Sequence, residues 1–157
     1  MEGLESLIQV DRTLEYDKPD PPVVFRIAWY AASRKPGVRL TDYSEAESQT
    51  FEGSAMFHTK VAESDGAVRV SVEGAQTSVG LSVWGDVEDN ASAYADDILT
   101  LLQNSLDKYK SLSDEDQERV RRALVAKMCA DRIVYHVLNR SPVSDIYFQV
   151  AHAREMM

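Results

Sequence analysis

The side chains in this chain with most scope for chemistry are three histidines, one cysteine and a few clustered carboxylates. His58, His136 and His152 lie far apart, and none shares the i, i+4 spacing that sets two zinc ligands on one helical face. Cys129 and His136 are seven residues apart. On one helix, two turns separate them by about 10 Å along the axis, too far for an imidazole to take the thiol proton. Cys129 therefore reads as a small buried hydrophobe. Asp96-Asp97 has the form of the paired aspartates of two-metal enzymes, but those need further carboxylates converging from other elements. Near the start of a helix, the pair is explained by the favourable interaction of acids with the helix dipole. Asp86-Val87-Glu88-Asp89 lacks the glycine and the ligand spacing of a calcium loop. None of the seven glycines forms a phosphate loop between a strand and a helix. No catalytic residue, metal ligand or cofactor follows from these patterns, and no small-molecule substrate is expected.

Charge and aromatic supply point instead to contacts between macromolecules. The net charge is −9, which argues against phosphate binding by the whole surface. The charge is segregated: residues 41–118 hold 17 acids and four bases, and residues 119–140 hold one acid and six bases. Arg119, Arg122 and Lys127 form one stripe of the basic segment, with Arg121 and Arg132 around its side. Two readings compete here. The plainer is a solvated helix face whose arginines pair with the adjacent acidic helix; the sharper is a contact to nucleic acid or an acidic partner. No aromatic residues interleave with these bases as they do in single-strand binders. Trp29, Tyr30, Trp84, Tyr147 and Phe148 are candidate partner anchors, since Trp and Tyr dominate interface energetics. The competing reading is that they complete the core.

The elements that must carry these residues are legible from periodicity. Leu4, Leu7, Ile8 and Leu14 suggest a short amphipathic helix. Tyr16 to Pro22 breaks it, and Asp20 followed by Pro21 is a cap-then-proline start. Val23 to Arg34 reads as a helix that Lys35-Pro36-Gly37 stops, with a strand as the alternative because Phe25, Ile27 and Trp29 alternate. From Thr50 to Glu63 the apolar positions Phe51, Ala55, Phe57 and Val61 recur with period two. Ser64-Asp65-Gly66 offers a hairpin turn. Val68, Val70 and Val72 and then Val79, Leu81 and Val83 continue the alternation, and Val38 to Tyr43 is a candidate edge strand. By parity Trp84 falls on the polar side. Ala91, Tyr94, Ala95, Ile98, Leu101, Leu102 and Tyr109 mark a long amphipathic helix, with Asp89 or Asn90 as its cap. Ser113 starts another, with Asp114, Glu115 and Asp116 in its first turn. Residues 143–153 fit a short helix or a strand.

The expected fold is a single α+β domain over residues 1–157. A three- to four-stranded antiparallel meander (about 38–84) packs on a C-terminal helical hairpin (about 89–139), with one or two N-terminal helices. The apolar sheet face needs a roof, and the hairpin is its expected source. With one cysteine and no apolar run near the ~20 residues of a membrane span, an intracellular, cytoplasmic protein is expected. The function expected is that of a non-enzymatic interaction or assembly subunit, binding a protein partner or itself. Two alternatives are kept: a subunit of a nucleoprotein complex using the basic helix 119–140, and a small metal-dependent hydrolase.

Overall fold

The computed structural model describes residues 6–47, 49–139, 150–152 and 154–155. The chain is α+β, with elements in the order β1 (Ile8–Glu15), α1 (Pro21–Ser33), β2 (Arg39–Glu47), β3 (Phe51–Val61), β4 (Ser64–Glu73), β5 (Ser78–Gly85), α2 (Glu88–Ser111) and α3 (Asp114–Leu138). The strands form one antiparallel sheet in the order β1-β5-β4-β3-β2. The meander is therefore β2 to β5, and the fifth strand comes from the N-terminus.

That strand corrects the expected first helix. Ile8 to Glu15 pairs residue for residue with β5, from Ile8 opposite Gly85 to Glu15 opposite Ser78. Leu7, Ile8 and Leu14 have helical spacing, but Ile8, Val10, Arg12 and Leu14 also alternate with polar residues. The open edge of β5 decides between the two periods, because its unpaired backbone groups are satisfied by a strand and not by a helix. Among the described residues one helix, α1, precedes the meander. It begins as expected, with Asp20 at the N-cap position and proline in the first turn, although the Asp20 side chain makes no capping bond.

α1 also changes the roof. Val24, Phe25, Ile27, Ala28, Trp29, Ala31, Ala32 and Ser33 are buried, which leaves the helix almost no solvent face. A helix apolar all round belongs inside. It lies on β3, β4 and β5, with α2 to one side over β1 and β5 and α3 to the other over β2. Both long helices pack against α1 rather than along each other. The expected close-packed 89–139 hairpin is thus splayed around a central helix.

The β3–β4 turn is also displaced from the sequence expectation. The turn residues are Ala62 and Glu63, at φ 50° and 73°, and Val61 already faces Ser64 across the hairpin. Asp65 and Gly66 lie inside β4, opposite Lys60 and Thr59. Asp65 binds Lys60 across the pair, and Gly66 passes so close to β5 that a Cβ there would lie 2.3 Å from the Trp84 carbonyl oxygen. A cross-strand ion pair and this close approach hold the register against the intrinsic preference of Asp-Gly for the turn. At the other edge, β2 carries a bulge between Leu40 and Asp42, a common device for blunting an edge strand. α2 starts at Glu88 with Val87 at the cap position, two residues before the expected cap Asp89 and three before Asn90. α3 is capped as expected, the Ser113 hydroxyl accepting from the Asp116 N–H.

Candidate functional site

The chemistry-bearing residues are dispersed by the fold. Asp96 turns outward from α2 and receives a 3.0 Å hydrogen bond from Arg12 Nε of β1. His58 sits on the face of the sheet opposite α1 with Nε2 3.2 Å from Asp65. The hydrogen bond and charge of Lys60 hold the Asp65 carboxyl below its ordinary value. On the same face the Ser82 hydroxyl, followed by Gln9, lowers Asp11. His136 Nε2 is 2.9 Å from the Tyr43 hydroxyl. Among the described residues no three His, Cys, Asp or Glu side chains gather where a metal could be held.

The densest polar cluster joins α1, α3 and β2. Trp29 Nε1 donates to Asp131 at 2.8 Å, and Lys127 Nζ reaches both oxygens of that carboxylate at 2.7 and 2.9 Å. Arg132 donates to Glu45 at 2.8 Å, and its guanidinium lies 4.5 Å from the Tyr43 ring centre and 5.4 Å from that of Trp29. Arg26 approaches the other Glu45 oxygen at 3.9 Å. The cluster ties the last turns of α3 to the central helix and to the bulged edge strand. Its planar, weakly hydrated arginine suits a site walled by two aromatic rings. These pairs fasten α3 to α1 and β2, and Lys127 also reaches the wall of the trough between α2 and α3.

Cys129 lies behind this cluster, fully buried. Burial pushes its thiol up, against the smaller opposing influence of Arg132 and Arg26. The thiolate is the reactive form. Native Cys129 should therefore be alkylated by iodoacetamide at pH 7.5 on the order of 100-fold more slowly than in the urea-unfolded chain, because labelling must wait for local opening. Mass spectrometry of timed quenches measures this; equal rates would place the thiol at the surface.

The principal concavity results from the splaying of α2 and α3. It is an open trough of about 600 Å³ floored by Ile27 and Tyr30 of α1. Leu101, Asn104, Ser105, Lys108, Tyr109 and Leu112 form one wall; Val120, Ala123, Leu124 and Lys127 form the other. On each helix these positions recur every three or four residues, which is one continuous face. One end is tied across, since Arg121 donates to the Tyr109 hydroxyl at 2.9 Å and Gln117 to its carbonyl at 2.9 Å. The floor stays wet: Tyr30 remains 41% exposed.

No family model, curated protein or solved structure matches the chain.

The residues singled out from the sequence divide among these settings. Of the aromatic candidates, Trp29 is 1% exposed and packs in the core against Phe25 and Phe57. Trp84 does lie on the face opposite α1, yet it is 8% exposed, with Arg69 over its ring. Tyr30 alone of the three is at the surface, in the trough. Tyr147 and Phe148 lie outside the described residues, as does most of 143–153. The basic candidates do not form one patch. Arg119 and Arg122 pair with Glu115 and Glu118 one turn back, each at 3.0 Å, Arg121 serves Tyr109, Lys127 holds Asp131, and Arg132 is buried on Glu45. Sequence reasoning missed Glu45, Arg26 and Asp131. Arg132 and Glu45 are 87 positions apart, and no local spacing signals such a pair. Among the described residues no helix is long and apolar enough to cross a membrane.

Proposed function

We propose that the chain is a non-enzymatic interaction subunit that holds a partner protein in the trough between α2 and α3. The observation that supports this best is the trough itself: an apolar floor and walls on three well-buttressed helices, left open to water around a half-exposed tyrosine. Apolar concavities of this size are the usual places where proteins bind something. The polar cluster of α1, α3 and β2 keeps the walls apart and presents them as a preformed surface, which lowers the ordering penalty of association.

Ala123 offers the cleanest test. It lines the trough yet is exposed, so Ala123→Glu places a charge in the trough without opening the core. A partner purified with the wild-type chain should lose roughly tenfold or more in affinity for this variant, the ratio that corresponds to about 1.4 kcal/mol. Ser44→Glu, on the sheet face opposite α1, should leave the affinity unchanged. Titration by calorimetry compares the three proteins; equal affinity for wild type and Ala123→Glu would overturn the proposal.

A further inference from the structure

Resting on that reading, we infer that the occupant of the trough is an amphipathic α-helix of the partner that carries a carboxylate beside its apolar stripe. The first reason is shape. The α2 wall runs from Leu101 to Leu112, and at 1.5 Å per residue it is about 16 Å long. That is the length of three helical turns. All three surfaces are built from side chains at three- and four-residue spacing, including Ile27 and Tyr30 in the floor. Such rows are the ridges and grooves into which another helix packs. An occupant with apolar residues at i, i+3, i+4 and i+7 would sit between α2 and α3 over α1 and complete a four-helix layer. A compact small molecule fits less well, since such ligands are buried over roughly 70–90% of their surface and this trough is open along its length.

The second reason is charge. The α2 rim presents Asn104, Ser105 and Lys108, whose side chains make no hydrogen bond or ion pair with the described residues; the Ser111 hydroxyl meets only the Lys108 backbone carbonyl, at 2.7 Å. Lys108 is exposed, whereas Lys127 on the opposite rim is held by Asp131. The rim therefore offers one uncommitted ammonium flanked by an amide and a hydroxyl, a set suited to a carboxylate. The chain's net charge of −9 would slow the approach of an acidic partner at long range. Screening over about 8 Å at physiological salt confines that effect to the approach and leaves the short-range pair in place.

The test uses the full chain and two fluorescein-labelled 18-residue peptides read by anisotropy. Both carry leucine at i, i+3, i+4 and i+7; one is flanked by glutamate and the other by lysine at the same positions. The glutamate peptide should bind about fivefold more tightly than the lysine peptide, in line with an exposed ion pair. Lys108→Glu should reverse that preference, and Ala123→Glu should weaken both peptides. Absence of peptide binding, or a preference unmoved by Lys108→Glu, would refute the helix assignment. Tighter binding of laurate than of either peptide, or concentration-dependent self-association that Ala123→Glu abolishes, would replace the occupant by an acyl chain or a second copy. These outcomes leave the trough as the binding surface. Only a native partner indifferent to Ala123→Glu removes the trough itself, so the two failures are distinguishable.

Discussion

Trp29→Ala is expected to lower the stability of the folded chain by about 4 kcal/mol, within the range for truncating a fully buried tryptophan. The indole is 1% exposed and sits where α1 meets α3 and the sheet. Its ring meets Phe25, Phe57 and Tyr43 nearly edge-on, with centroids 5.9, 5.4 and 6.1 Å away. Beneath it the sheet cannot collapse, and beside it α3 stays held by the Arg132–Glu45 pair. The space vacated would therefore remain as a cavity, adding to the lost transfer energy. For a chain of 157 residues the change corresponds to a fall in melting temperature of about 12 °C. Trp29→Phe separates the hydrogen bond from the packing. It removes the Nε1 donor to Asp131 while Lys127 stays on that carboxylate, and should cost about 1 kcal/mol plus a small packing loss. Urea unfolding with an unchanged m-value measures both variants. A loss under 1 kcal/mol for the alanine variant would return Trp29 to the list of surface anchors.

The contrast between Trp29 and Tyr30 shows what periodicity conveys and what it omits. The strands β3, β4 and β5 are legible because the face toward α1 is buried along their length and apolar residues recur there at every second position, although Ala67, Ser82 and Trp84 are buried on the other face too. α2 and α3 are legible because each buries a stripe. In α1 the sequence Val23-Val24-Phe25-Arg26-Ile27-Ala28-Trp29-Tyr30-Ala31-Ala32 has almost no polar face, and that was the local sign of a central helix. Taking Trp29 for a surface anchor overlooks this sign, whereas Tyr30 does lie at the surface. β1 was illegible for another reason: eight residues hold too few apolar positions to separate a period of 2 from one of 3.6, and the deciding influence is the open edge of β5, far along the chain. The trough was beyond local reading altogether. Its walls are the apolar stripes of α2 and α3, which look like the two sides of a close-packed hairpin until α1 is known to lie between them. The same holds for the basic helix, whose arginines look like a patch in sequence but are distributed by the fold among intrahelical pairs, a tyrosine and a buried glutamate.

Gly66→Ala is the backbone counterpart of the tryptophan experiment, with an expected loss of about 3 kcal/mol. The added methyl would lie 2.3 Å from the Trp84 carbonyl oxygen and 2.8 Å from Val61 Cγ2. The first is main chain in a paired strand and cannot turn away, so β4 and β5 must move apart where Ala67 faces Trp84. Two other glycines serve as controls for the mechanism. At Gly80 the nearest atom is the Ser71 hydroxyl, 2.8 Å away, which can rotate; Gly80→Ala should cost under about 1 kcal/mol because strain there relaxes through a side chain. At Gly37 nothing lies within 4 Å, and φ is +86°; Gly37→Ala should cost roughly 1–2 kcal/mol from left-handed backbone alone. The order Gly66, Gly37, Gly80 separates steric from conformational causes and is read from urea midpoints. If Gly66→Ala proved the mildest of the three, the close crossing of β4 under Trp84 would be ruled out, and with it the reason why Asp65-Gly66 lies inside a strand and leaves the turn to Ala62 and Glu63.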